Sequence, residues 1–302
     1  MQPLFSFVIT TRNESPEVLA ATVDALLETS LRYSREILIL DDGSDTPVHL
    51  ARPFLRIVRQ EMPTGVQRSR RHGGSLASGD ILVWLDAHMS FAPDWLQHMI
   101  LHVDSGALLC PAWWDYELSH PLCWGADFTW CGERNYKAQR SPGLGFRHRT
   151  CFLRDDTQDV PMWIGGCYMS LRESYEKLGG FSPFFRIWGK SEQDMCTRAW
   201  ITGLGVKCVT RAHVGHLNRR KFPYAVRWAD IEFNQVAIIR TVFQDSTVQV
   251  FEQILQPLPS DVSTWLAQVN FGEWRRFIQS RRQISDAEFF RRFVPDAPAC
   301  LR

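Results

Sequence analysis

The sequence has no apolar run approaching the roughly 18 residues that a membrane-spanning helix needs. No basic region precedes its first hydrophobic stretch, "LFSFVIT". Neither a membrane span nor a secretory signal is therefore expected. Charge of one sign is also lacking. The formal net charge is +1, so no overall field draws the chain to nucleic acid or to a membrane surface. The eight cysteines are scattered and form no CxxC pair. With no signal peptide, that argues for free thiols in a reducing compartment. Internal repeats and low-complexity linkers are missing as well. What remains is an ordinary globular composition, 45% hydrophobic and 22% charged over 302 residues, enough for one large domain or two modest ones. The expectation is a soluble, cytoplasmic protein.

"FSFVIT" (5–10) reads as a buried strand followed by a polar turn, "TRNES". Residues 16–30 carry Val18, Leu19, Val23, Leu26 and Leu27 at helical spacing, which predicts an amphipathic helix. "EILIL" (36–40), "LRIVRQ" (55–60) and "DILVWLDA" (80–87) are further strands, and "GVQRSRRHGGSLASG" (65–79) is a helix with a small-residue face. Continuously apolar strands alternating with helices predict an α/β fold, a mostly parallel sheet flanked by helices. Residues 110–160 show weak periodicity and read as a long, partly irregular excursion of the kind that binds an acceptor. "MWIGGCYMSL" (162–171) is a strand, "ESYEKLGGF" (173–181) a helix stopped by glycine, "SEQDMCTRAWITGL" (191–204) a helix, and "VKCVTRAHVGH" (206–216) a final strand. Residues 226–302 form a helical C-terminal extension, expected to pack on the α/β domain of residues 1–225.

The stretch "ILVWLDAHMS" (81–90) ends an apolar run with Asp86 and, two residues on, His88. In a strand, residues i and i+2 share a side, so both side chains face one object beyond the strand end. A carboxylate and a neutral imidazole are good ligands for a Mn-like cation. A strand end turning polar as it meets water would look the same. Parallel sheets bind ligands beyond the carboxyl ends of their strands, and Thr10, Asp41, Asp42 and Asp86 all fall there. Thr10 and the Asp41–Asp42 pair suit a nucleoside, because carboxylates accept from base N–H and ribose hydroxyl groups. "DDGSD" is equally a turn. Arg68 and Arg70 either orient these aspartates or touch the nucleotide, and structural roles fit them nearly as well. Gly165–Gly166 allows a ligand to lie close to the backbone, where a Cβ would block it. A strand bulge is the alternative.

The order of motifs resembles the nucleotide-sugar-dependent glycosyltransferases of the GT-A, Rossmann-like fold, over roughly residues 4–225. More narrowly, it is similar to the polypeptide N-acetylgalactosaminyltransferases and their bacterial relatives. Asp86-Ala87-His88 looks like that family's Asp-x-His metal motif, "GVQRSR" like its Gly-x-x-Arg-Ser-Arg, "PMWIGGCY" like its Pro-Met-x-x-Gly-Gly, and "HVGHLNRRKFPY" (213–224) like its HVGHxxRxxxPY. The resemblance implies Mn2+ (or Mg2+) held by Asp86, His88 and His216, in preference to nearby His213. It also implies a UDP-sugar donor, with Arg219 on the diphosphate and Thr10 and Asp42 on the nucleoside. Arg220 and Lys221 are then solvated neighbours or part of a lid whose path Pro223-Tyr224 fixes. Trp188 opens "WGKSEQD", which matches a family segment, roughly Trp-Gly-Gly-Glu-Asn-x-Glu, that lies beside sugar and acceptor. Here the sequence departs. Ungapped, Ser191 takes the first glutamate, Glu192 the asparagine and Asp194 the second glutamate, whereas a one-residue slip makes Glu192 the first glutamate. Asp194 also fits as an acid in the first turn of its helix.

The expected activity is therefore hexosyl or N-acetylhexosaminyl transfer from a UDP-sugar with retention of configuration. An inverting family-2-type transferase would use Glu192 or Asp194 as general base. A nucleotidyltransferase would want a glycine- and basic-rich phosphate loop after the first strand, and "TTRNESPE" is not one. A non-catalytic nucleotide-sugar-binding module is at odds with an intact Asp, His, His and Arg set. The acceptor stays open: a peptide, small metabolite, glycan or modified base. The chain lacks the anchor and lectin domain of animal relatives, which suggests a bacterial or phage enzyme. Its C-terminal arginine pairs either touch an acidic acceptor or form a solvated helix face.

Overall fold

The structure is a computed structural model that describes residues 3–132, 142–150, 155–219 and 221–302. In chain order it runs β1 (Leu4–Thr11), α1 (Pro16–Thr29), β2 (Ser34–Asp42), β3 (Leu55–Gln60), α2 (Val66–Leu76), β4 (Ile81–Asp86), β5 (Met89–Phe91), α3 (Trp95–Ile100), β6 (Leu108–Asp115), β7 (Pro121–Cys123), β8 (Ala126–Cys131), β9 (Gly143–His148), β10 (Thr157–Asp159), β11 (Cys167–Leu171), α4 (Arg172–Lys177), α5 (Ser191–Ile201) and β12 (Val206–His216). Five helices follow: α6 (Trp228–Val242), α7 (Asp245–Leu255), α8 (Ser260–Ala267), α9 (Gly272–Gln279) and α10 (Asp286–Phe293).

The main sheet has the order β10-β12-β6-β11-β4-β1-β2-β3. β3, β2, β1 and β4 are mutually parallel, as are β6 and β12, while β11 runs against both β4 and β6. Strand alternation sorts the core into two layers. Phe5, Phe7, Ile9, Ile37, Ile39, Val83 and Leu85 meet α1 and α3 on one face. Val8, Leu38, Leu40, Leu82 and Trp84 meet α5 and the C-terminal helices on the other. Trp84 is fully buried, edge-to-face with Phe181 at 5.3 Å, and truncating such a side chain costs about 3–5 kcal/mol.

The stretch 110–160 holds more strand than its periodicity announces. β8 and β9 pair as a separate antiparallel hairpin. Its exposed and buried residues are dictated by a cleft rather than by a core, so no clean alternation survives. The expected strand at 162–171 begins only at Cys167, because Gly165 and Gly166 take φ of +96° and +75° and turn the chain.

The helices after residue 225 share one hydrophobic cluster with α5 and β8, through Phe233, Ile238, Phe251 and Phe289. One arginine of each C-terminal pair is used in this packing. Arg275 donates to the carbonyls of Arg240 and Phe243, Arg282 pairs with Asp286, and Arg292 lies over Trp200. None of these three lines the cleft described below. No helix among the described residues is long and apolar enough to cross a membrane.

Candidate active site

A cleft of about 1260 Å3 opens at the carboxyl ends of β1, β2 and β4. Thr10 pairs in register with Asp86 across β1 and β4, and both line it. β4 stops at Asp86, so the i/i+2 pleat does not present His88. Instead the chain bends at Ala87 and His88 and re-enters as β5, antiparallel to the end of β12. The His88 carbonyl accepts from Leu217 N–H (3.1 Å) and the Asp86 N–H donates to the Gly166 carbonyl (2.9 Å). These ties bring the ends of β4, β11 and β12 together.

One ligand atom each from Asp86, His88 and His216 lies within 4.8 Å of the others. His216 Nε2 faces Asp86 Oδ2 at 3.3 Å, and the two imidazoles cross at 4.7 Å. Buried Arg70 donates to Asp86 Oδ1 at 2.7 Å. Burial pushes the Asp86 carboxyl up, but the His216 hydrogen bond and the Arg70 and His88 charges outweigh it and hold it well below the ordinary range. One anionic oxygen and two imidazoles are a donor set for a divalent cation, and His88 Nδ1 is already taken by Glu14 at 2.9 Å. That leaves Nε2 as the ligating nitrogen of His88. His213 packs at a tilt on Trp114 at 4.4 Å instead and does not line the cleft.

Glu14 was not legible as a site residue. It stands in the polar turn after β1, its side chain 4% exposed, and joins His88 to Arg219. Burial raises its carboxyl, and the hydrogen bonds to His88 and Arg219 more than offset that, so it lies below its usual value. The signal was available: "TRNES" closes the first parallel strand directly beside Asp86. Arg12 from the same turn lies over the Tyr224 ring at 5.0 Å, and burial pushes that phenol to about 12. Asn13 Nδ2 donates to the Pro223 carbonyl at 3.3 Å. Lys221 lines the cleft, and Arg220 lies outside the described residues.

The other candidates divide. Asp42 lines the cleft and accepts from Thr64 and Gly65 N–H groups at 2.7 and 2.8 Å. Asp41 does not: it is fully buried and holds Ser44 N–H, Val48 N–H and Arg59. Its role is to shape the turn. Arg68 is on the outside of α2, donating to the Phe184 carbonyl, and is absent from the cleft wall. Gly165 and Gly166 do line it. A Cβ on Gly166 would stand 2.5 Å from Asp86 Oδ2, and one on Gly165 3.0 Å from Trp113 Cγ. Glycine is therefore needed here by the metal ligand as well as by any sugar.

Trp188 and Glu192 line the far side of the cleft. Trp188 packs on Phe222 at 4.8 Å. Glu192 accepts from the Tyr168 hydroxyl at 2.8 Å and from the Ser191 hydroxyl at 3.0 Å. Asp194 is two residues further round the helix, wholly buried and ion-paired to Arg198 at 2.5 Å. It faces the core and not the cleft, which corrects its expected place beside the substrates. Phe146 and His148 of β9 and Trp113 of β6 complete the opposite wall.

The family model described as Glycosyl transferase family 2 matches residues 6–178, and one described as N-terminal domain of galactosyltransferase matches residues 147–221. Polypeptide N-acetylgalactosaminyltransferase 5 of Caenorhabditis elegans is 26% identical over 283 residues, covering 83% of this chain and 43% of that protein. Polypeptide N-acetylgalactosaminyltransferase 14 of Homo sapiens is 28% identical over 243 residues, covering 74% of this chain and 42% of that protein. The chain thus spans less than half the length of these relatives. Among solved structures, GalNAc-T7 with UDP, GalNAc and Mn2+ aligns with a TM-score of 0.76 at 20% identity, over 96% of this chain and 56% of that one. S. aureus TarS 1-349 in complex with UDP-GlcNAc aligns at 0.51 and 11% identity, over 96% and 81%. The shared architecture is the GT-A fold.

Proposed function

The chain belongs to glycosyl transferase family 2, and we propose that it moves a sugar from a UDP-sugar to an acceptor nucleophile, assisted by Mn2+ or Mg2+. The observation that carries this reading is the convergence of Asp86, His88 and His216 at the mouth of the parallel strands, with Thr10, Asp42 and Arg219 in the same cleft wall. A divalent cation held there would offset the negative charge that builds on the departing diphosphate. The names of the relatives favour a UDP-N-acetylhexosamine donor and a peptide hydroxyl acceptor. A reducing, cytoplasmic setting agrees with the buried thiols Cys110, Cys123, Cys167, Cys196 and Cys208. Arg219 is held by Glu14 and stands ready to exchange that carboxylate for a phosphate oxygen.

Retention of configuration is the favoured stereochemistry. Glu192 already receives two hydroxyl donors, which suits it to positioning. Inversion is the second reading, and of Glu192 and Asp194 it is Glu192 that can serve as its base, since Asp194 is locked to Arg198. The test is a screen of UDP- and GDP-sugars with Mn2+, read by released nucleotide. UDP release that a chelator abolishes is expected, and undiminished release in chelator would refute the metal site. Proton NMR of the product's anomeric signal then decides: an α-linked product from a UDP-α-sugar supports retention. A β-linked product, with Glu192→Gln costing the roughly 100- to 10,000-fold of a lost general base, establishes inversion.

A further inference from the structure

The helices beyond residue 225 carry no residue named so far in the proposed chemistry, yet one of their side chains reaches the site through the backbone. Residues 186–190 lead into α5 and hold Trp188 and Glu192 in place. This segment is contorted: Ile187, Gly189 and Lys190 have φ of +22°, +97° and +70°. Positive φ is a genuine outlier for a β-branched residue. Such a path persists only where its surroundings over-determine it. The segment makes no regular ladder, so its peptide groups need partners from elsewhere.

Asn234 of α6 supplies them. It is wholly buried. Its Oδ1 accepts the Arg186 N–H at 2.7 Å, and its Nδ2 donates to the carbonyls of Arg186, Trp188 and Gly189 at 2.9, 3.2 and 3.0 Å. Only a side-chain amide offers donors and an acceptor together at this reach. Aspartate would set a carboxylate against three carbonyls, and alanine would leave all four backbone groups without this partner. The grip is reinforced nearby. Arg186 Nε donates to buried Asp230 at 2.8 Å and its guanidinium lies 3.7 Å from the Trp265 ring centre. From the other side, the Ile187 carbonyl accepts the Val66 N–H at 3.0 Å.

We propose that Asn234 is a positioning residue for sugar transfer, setting from α6 the backbone path of residues 186–190 and thereby the placement of Trp188 and Glu192. The claim rests on the transferase reading above for its consequence, but not for its geometry. Thr10, Asp86, His88, His216 and Arg219 stand on β1, β4, β12 and the bends after them. Among the described contacts none of these five is hydrogen-bonded to residues 186–190, so UDP binding and transfer should respond differently.

The experiment compares the full chain with Asn234→Asp and Asn234→Ala in two measurements. In backbone hydrogen exchange without substrate, peptides covering 185–192 should exchange at least about tenfold faster in both variants, while those of β1 and β4 stay protected. With Mn2+ present, UDP affinity should stay within about twofold of the parent, while turnover onto an acceptor falls about tenfold or more, the scale of a small misplacement at a reacting centre. Unchanged exchange at 185–192 would overturn the proposal. So would acceleration throughout the protein in both variants, or UDP affinity falling in step with turnover, because each would make Asn234 a general folding residue. If the parent turns over no UDP-sugar, the transferase reading fails, and the exchange pattern still decides whether Asn234 governs this segment.

Discussion

Replacing Glu14 tests how the metal centre is held. Its carboxylate accepts from His88 Nδ1 at 2.9 Å and pairs with Arg219. Both contacts are shielded, since the Glu14 side chain is only 4% exposed. In Glu14→Gln the amide oxygen can still accept from His88, so the ring keeps its orientation. The negative charge that makes the imidazole a stronger ligand is lost, and the amide N–H2 then confronts the Arg219 guanidinium. In Glu14→Ala both partners are released and the His88 ring is free to turn. Removing the partner of a ligating histidine costs about 10- to 100-fold in metal affinity, or about 1.4–2.7 kcal/mol. We expect glutamine near the lower end and alanine near the upper. The assay is a Mn2+ titration of the UDP-bound protein, by calorimetry or by the paramagnetic signal of free Mn2+. At saturating metal, UDP affinity should change little, because Arg219 loses a competitor for phosphate as well as a support. Parental Mn2+ affinity in both variants would refute the reasoning and return Glu14 to the status of a loop residue.

Two further outcomes follow from neighbouring side chains. Asp194→Asn should cost about 3 kcal/mol in urea unfolding, the low end for a broken buried pair, because Arg198 keeps the Leu178 and Gly180 carbonyls at 2.6 and 2.9 Å. Turnover per folded molecule should be unchanged, and a large loss of kcat without loss of stability would put Asp194 back among the groups that touch substrate. Gly166→Ala forces a Cβ to within 2.5 Å of Asp86 Oδ2 at a φ of +75°, so Mn2+ affinity and turnover should both drop more than about tenfold. Parental Mn2+ affinity in that variant would show that Asp86 is not the ligand its position implies.

The sheet was legible because its central strands are buried on both faces and read as continuous apolar runs. Thr10 and Asp86 stand out as polar side chains at the ends of buried strands, whereas the strand pleat that points to His88 stops at Asp86, and His216 and Arg219 stand out only through the resemblance of "HVGHLNRRKFPY" to a known motif; all five line the cleft. The β8–β9 hairpin was not legible, since its residues answer to a cleft and to helices more than a hundred positions away. Glu14 reads as part of a polar turn. Asn234 does not stand out in the sequence: it falls in a stretch that reads simply as helical, and the fold shows that its amide is turned on another segment's backbone.

The two corrections among the acids have a common cause, and it is the same periodicity that sorts the core. On β2, Ile37 and Ile39 face α1, while Leu38 and Leu40 face α2 and the helices beyond. Alternation then sends Asp41 to the α1 face and Asp42 to the other. Thr10 follows Val8 onto that second face, and Asp86 follows Leu82 and Trp84. Arg70 of α2 meets Asp86 there. Thr10, Asp42 and Asp86 thus share one side of the sheet, and Asp41 had to fall on the other, where Ser44, Val48 and Arg59 occupy it. Glu192 and Asp194 obey the helical version. Two residues at about 100° each place them nearly opposite on α5. Once Glu192 meets Tyr168 in the cleft, Asp194 must turn into the protein, and a buried carboxylate there needs a cation such as Arg198. A doublet of acids at a strand end or a helix start therefore contributes one residue to the site and one to its support.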